Sequence, residues 1–201
     1  GLLEADRRPG RFFEGILRNN GANNGANFFD IVAFHGYPAW SSTHGLSTDE
    51  NNDNWKHLGG IVVGKINFLR SVMTNIGNIS GQTIDKPILQ TEGAVYCWSN
   101  ECQNQTNMLN FLQDQANYGV ILFTRNLAHN VLGTMWYTIE SPGWNYSSLL
   151  YSDGTAKPVY NSIKFLNDQL AGSQFFAQIT ISPYDSRQLQ VYEFRRPDKR
   201  I

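Results

Sequence analysis

Apolar residues fall along this chain in two rhythms. Residues 28–35, 87–92 and 131–137 are short runs, nearly continuous in apolar side chains and bounded by turn formers. Runs of that kind predict strands covered on both faces, as in a parallel sheet. Between and after them the spacing changes to three and four. Residues 55–76 place Leu58, Ile61, Val62, Ile66, Leu69, Val72 and Met73 on one stripe. This predicts a helix capped by Asp53 or Asn54, with Gly77 just past its end. From Thr106 a second stripe runs through Met108, Leu109, Leu112, Ala116, Val120, Ile121 and Leu127, and Gly119 is expected to divide or kink it. A third helix is expected from Pro158 to about Gly172, and a short one over 11–19, ahead of the Gly/Asn-rich loop 20–27.

Strand and helix thus alternate three times, which predicts βαβ units and an α/β fold with parallel strands. After Gly172 the texture changes. Residues 175–182 and 188–194 alternate as strands around a turn at 183–186; residues 195–200 read as a second turn, with Ile201 resuming a strand. The expected division is therefore 1–172, the α/β part, and 173–201, the beginning of an accessory β module.

Composition narrows the function classes. Among 201 residues, 16 Lys and Arg stand against 17 Asp and Glu, a net charge of −1. That balance argues against binding nucleic acid by neutralising phosphates. No apolar run reaches the ~18 residues of a membrane helix. Apolar residues at 41% and aromatics at 13% supply a core, so disorder is a poor reading. Low charge and abundant Asn lean towards an extracellular protein. Cys97 and Cys102 either bridge across one loop or remain free thiols; two thiols cannot make a four-ligand zinc site. His35, His44, His57 and His129 have no metal-ligand spacing, and G-x-S-x-G, Walker A, H-E-x-x-H and G-x-G-x-x-G are all missing. No metal and no cofactor is expected.

In parallel βα arrays, ligands gather at the carboxyl ends of the strands. Those ends read His35-Gly36-Tyr37-Pro38, Gln90-Thr91-Glu92-Gly93 and Trp136-Tyr137-Thr138. Strand alternation puts His35 with Tyr37, and Gln90 with Glu92. Glu92 precedes Gly93, whose missing side chain is expected to let a ligand approach. A carboxylate there can attack an anomeric carbon and form a glycosyl ester that water then opens; the plainer reading is a solvated glutamate at a loop start. Tyr37 is either a donor to Glu92 or a rim aromatic. His35 is either a structural histidine or a contact for sugar hydroxyls. Trp136 is either an apolar platform under a pyranose or a core tryptophan.

Taken together the segments look familiar. Phe29-Asp30-Ile31-Val32-Ala33-Phe34-His35-Gly36-Tyr37-Pro38 resembles the sixth strand of the clan A retaining glycosidases, the (β/α)8 barrels that include cellulase-like, β-xylosidase-like and β-galactosidase-like families. Lys86-Pro87-Ile88-Leu89-Gln90-Thr91-Glu92-Gly93 resembles their seventh strand, which ends in the nucleophile. Residues 131–137, then Ser141-Pro142-Gly143-Trp144 and Lys157-Pro158-Val159-Tyr160, resemble the eighth strand and last helix, and residues 191–198 look like the start of a small β-sandwich. The resemblance implies the C-terminal part of a TIM barrel followed by the start of that sandwich. It also implies a retaining β-glycoside hydrolase with a carbohydrate substrate, Glu92 as nucleophile, Tyr37 as its hydrogen-bond partner and Trp136 as a floor for the sugar.

The departure is large. The family's acid/base glutamate follows an Asn at the end of the fourth strand, and no Asn-Glu pair precedes residue 28. Glu4, Glu14, Glu101 and Glu140 do not sit where the pattern needs an acid. A full barrel takes about 250 residues, so the acid/base is expected upstream of residue 1 and the chain by itself is expected to hydrolyse glycosides feebly or not at all. The alternatives are a non-catalytic carbohydrate-binding or scaffold relative, and an unrelated α/β protein. Convergence of His35, Glu92 and Trp136 in one cleft separates the last of these from the first two.

Overall fold

The computed structural model describes residues 9–18, 25–140, 144–179 and 190–197. Glu4, the segment 141–143, the turn at 183–186 and Ile201 lie outside them. Helix α1 (Pro9–Leu17) leads to strand β1 (Val32–Gly36) and the two-residue β2 (Ala39–Trp40). Next come α2 (Ile61–Ser80), β3 (Ile88–Gly93), β4 (Tyr96–Cys97) and the one-turn α3 (Ser99–Cys102). The chain continues through α4 (Gln105–Ala128), β5 (Gly133–Trp136) and α5 (Pro158–Leu170) to the last two strands, β6 (Gln174–Ile179) and β7 (Val191–Arg195).

β1, β3 and β5 form one parallel sheet with β3 in the centre. Just beyond their carboxyl ends, β2 and β4 pair in parallel, Ala39 with Tyr96 and Trp40 with Cys97. β6 and β7 form an antiparallel pair. The α/β reading with parallel strands stands. Cover on both faces does not. Val32 and Phe34 of β1 and Ile88 and Gln90 of β3 are buried, whereas the alternating Ala33, His35 and Leu89 are only half-buried. The buried face packs on Val62, Ile66, Leu69 and Met73 of α2 and on Phe111, Tyr118 and Leu122 of α4, with Phe13 and Leu17 of α1 beside them. Each such side chain taken out of water contributes roughly 1.5–3 kcal/mol.

The helix expected from Trp55 begins at Ile61. Gly59 and Gly60 have φ of 106° and 100°, a left-handed turn that side chains resist. Asp49 Oδ1 then accepts from the backbone N–H of Ile61 at 2.7 Å and of Val62 at 3.4 Å. The cap thus comes from a distant loop residue, not from Asp53 or Asn54. Gly77 lies inside α2, and Gly81, at φ 68°, ends it. α4 is also unbroken through Gly119. A Cβ there would lie 3.0 Å from Val159 and 3.1 Å from Ile163, so this glycine lets α4 and α5 approach. Asn104 caps α4 through the N–H groups of Thr106 and Asn107. Arg125 of α4 reaches Asp49 at 3.4 Å, Glu50, and Gln190 Oε1 at 2.9 Å, tying the start of β7 to the helical layer.

Candidate active site

β3 carries one extra residue near Thr91. Phe34 pairs with Gln90 but His35 pairs with Glu92, and on the other side Gln90 pairs with Thr134 but Gly93 with Trp136. Such a bulge re-aims the following side chain. It overturns the shared face expected of Gln90 and Glu92. Gln90 is buried and its amide oxygen accepts from Asn126 of α4. Glu92, one step out of phase, is 35% exposed and meets β1. Gly93 is accounted for by the same packing, because a Cβ there would fall 2.3 Å from Gln90 Nε2. Its bareness makes room for Gln90.

Two side chains converge on one oxygen. Tyr37 Oη donates to Glu92 Oε2 at 2.6 Å, and His35 Nδ1 lies 3.1 Å from the same atom. The short phenol contact is the length of a charge-assisted hydrogen bond. Among the described residues no donor reaches Oε1. The carboxylate is thus held through Oε2, and a carboxylate positioned in this way can serve as a nucleophile. Buried Lys65 of α2 donates to the carbonyl of His35 at 2.9 Å and fixes the end of β1.

Trp136 lies on the next strand, its backbone paired with Gly93. Its indole N–H donates to the Ser147 carbonyl at 2.7 Å, and its ring packs 6.5 Å from Tyr118 of α4. No hydrogen bond or ring contact brings it to His35, Tyr37 or Glu92 among the described residues. The ring beside Tyr37 on this strand end is Tyr137, at 6.1 Å. His35 and Glu92 thus meet directly, while Trp136 stands on the adjacent strand beside Gly93 with its indole N–H bonded to Ser147. Tyr137, and Trp144 at 5.2 Å from Tyr37, are neighbours that strand-end reasoning passed over; their aromatic character beyond an apolar strand was the available signal.

The chain is similar in structure to a solved family 39 glycoside hydrolase from the gut symbiont Bacteroides cellulosilyticus. The two match with a TM-score of 0.57 at 17% identity, over 88% of this chain and 33% of that one. The fold is glycoside hydrolase-like. The chain spans about a third of that protein's length. No protein-family profile matches the chain, and no curated protein does.

Among the described residues, no hydrogen bond or ion pair brings a second carboxylate to the cluster. Glu14 pairs with Arg18 at 2.8 Å. Glu101 accepts from the Ser42 hydroxyl at 2.7 Å and from the Ser42 N–H at 3.2 Å, and these bonds hold its carboxyl below the ordinary range. A general acid needs the opposite shift. Cys97 and Cys102 are bridged, which settles their alternative. No described helix is long and apolar enough to cross a membrane.

Proposed function

We propose that this chain carries the nucleophile side of a retaining β-glycoside hydrolase site. Glu92 attacks the anomeric carbon, the bond to the leaving oxygen breaks, and the glycosyl ester is later opened by water. Tyr37 orients the carboxylate through Oε2, His35 contacts the same oxygen and sugar hydroxyls, and Trp136 with Tyr137 walls the sugar position from the neighbouring strand. The observation that carries the reading is the convergence of Tyr37 and His35 on one oxygen of a carboxylate at the carboxyl end of the central parallel strand. The glycoside hydrolase-like fold supports it.

Residues 1–172 are proposed as the C-terminal portion of a (β/α)8 barrel, strands six to eight, and 173–201 as the beginning of an accessory β domain. The two sheet edges left unpaired among the described residues support the first part, and the change from parallel to antiparallel pairing after α5 supports the second. Retaining enzymes hold two carboxylates about 5–5.5 Å apart, so the acid/base comes from a strand beyond these three. The disulfide is in keeping with an extracellular or secreted protein.

A second reading, a non-catalytic carbohydrate-binding relative, is favoured by one observation: no other carboxylate joins the cluster among the described residues. A 2-fluoro-glycoside with an activated leaving group decides between them. In the full-length protein we expect a covalent glycosyl adduct on the peptide containing Glu92, lost in Glu92→Gln. An unlabelled Glu92 in a protein that still binds sugars would establish the second reading.

A further inference from the structure

The turn at residues 144–148, between β5 and α5, is strained beside the site. Asn145 and Tyr146 both have positive φ, at 46° and 66°. Asparagine tolerates that conformation; a bulky residue such as tyrosine resists it and keeps it only where its surroundings impose it. Here they do. The Tyr146 carbonyl accepts from Gln115 Nε2 of α4 at 3.2 Å and from Lys157 Nζ, just before α5, at 3.1 Å. Lys157 also donates to Ser148 Oγ at 2.7 Å, and the indole N–H of Trp136 donates to the Ser147 carbonyl at 2.7 Å. Gln115, Lys157, Ser147 and Ser148 are all buried, and a buried lysine is rare without such partners. Its ammonium is the stronger of the two holds on Tyr146, since a charged donor bonds about twice as strongly as a neutral one.

Trp144 stands at the head of this turn. Its ring meets Tyr37 at 5.2 Å and 69°, and the Tyr37 phenol donates to Glu92 Oε2 at 2.6 Å. Its other ring neighbour is Tyr96, at 4.5 Å. Trp144 is 41% exposed, so burial alone does not fix it, and its place depends on the backbone of the residues that follow.

We infer that Lys157 and Gln115 are positioning residues for the Tyr37–Glu92 pair. By holding the Tyr146 carbonyl they keep the backbone left-handed at that point and seat Trp144 against Tyr37. The indole then limits the swing of the phenol that orients Glu92. With the ammonium withdrawn, Tyr146 relaxes to negative φ, the turn changes direction, and Trp144 leaves Tyr37. This deepens the glycosidase reading and rests on it for the catalytic meaning of the brace.

The test is fluorine NMR of the full-length protein grown with 3-fluorotyrosine, in which the Tyr37 signal is the one lost in Tyr37→Phe. Trp144→Ala marks where that signal falls once the indole is gone. Lys157→Met is expected to move the signal towards that mark, and Gln115→Met to move it less. Adding Tyr146→Gly to Lys157→Met is expected to return the signal to its wild-type position, because glycine takes this conformation without being held. In the same order, kcat for an aryl β-glycoside is expected to fall about tenfold at unchanged KM and then to recover. Melting curves report that each variant folds, and if Lys157→Met does not, Gln115→Met with and without Tyr146→Gly decides in its place. A Tyr37 signal that stays in place, one that moves but is not restored by Tyr146→Gly, or an unchanged kcat overturns the inference. Covalent labelling of Glu92 in the wild type is read separately. A restored signal without labelling keeps the brace and removes the nucleophile; labelling with an unmoved signal does the reverse.

Discussion

The two flanks of β3 are built from similar strands and end in opposite states. On the β1 flank, Phe34 is fully buried against α2, and the strand end delivers His35 and Tyr37 onto Glu92. On the β5 flank, Leu132 is 61% and Met135 53% exposed, and an apolar groove of about 470 Å³ opens between β5, α4 and α5, lined by Phe123, Leu127, Leu132 and Ile163. Two substituents on one Glu92 oxygen have to be placed within a few tenths of an ångström, and that needs strands locked by close packing. The lesson is that site precision follows packing density from flank to flank of one sheet.

The largest expected contrast is in stability. Phe34→Ala leaves a cavity in the packed flank and is expected to cost about 3–5 kcal/mol, whereas Leu132→Ser on the open flank is expected to change stability by less than about 0.5 kcal/mol. Urea unfolding of both variants checks this. Equal losses would mean that the open flank is covered in the protein as it exists in solution, and the comparison breaks.

Next comes the site itself. Tyr37→Phe keeps the ring against Trp144 and removes the 2.6 Å hydrogen bond to Glu92. Loss of a bond to a charged acceptor is worth about 1.5–3 kcal/mol, so kcat/KM for an aryl β-glycoside is expected to fall about 10- to 100-fold in the full-length protein. A variant as active as wild type would show that precision on this flank does not serve catalysis. Reduction of the Cys97–Cys102 bridge comes third. It closes a ring separated by only 5 positions, so chain entropy assigns it about 2 kcal/mol. A melting temperature indifferent to reductant would mean that β2–β4 pairing alone holds this segment.

How far this was legible in the sequence follows the range of the forces involved. β1, β3 and β5 are announced by short apolar runs between turn formers, and α4 and α5 by apolar residues every third and fourth position, because both signals act within the element. The start of α2 is not legible because its cap, Asp49, lies outside the local pattern. The role of Gly119 is not legible because the reason for it stands on α5. The bulge at Thr91 leaves no mark on a hydrophobic run, so simple alternation puts Gln90 and Glu92 on one face where the structure does not. In the site, His35, Tyr37 and Glu92 were legible as polar residues where apolar runs stop. The ring contacts of Tyr137, Trp144 and Tyr96 were not, because they are set by loop paths that no short-range rule specifies.

The smallest effect probes the open flank from within. Just before α5, Lys157 is buried, donating to the Tyr146 carbonyl at 3.1 Å and the Ser148 hydroxyl at 2.7 Å, with no carboxylate partner among the described residues. Burial lowers its pKa from 10.5 to about 8. Between those two values the folded protein has released a proton that the unfolded chain still holds, so folding is favoured increasingly as pH rises from about 8 towards 10.5. Below pH 8 both states carry the charge and the burial penalty is felt in full. The two oxygen acceptors compensate part of it, so the gain is expected to be about 1 kcal/mol or less. Lys157→Met abolishes the titration without emptying the space. Urea midpoints at pH 7.5 and 9.5 should therefore show wild type gaining on the variant at the higher pH. A difference that stays level, or that narrows in favour of the variant, would mean that water already reaches this ammonium, and that the open flank is looser at its base than the packing of α5 implies.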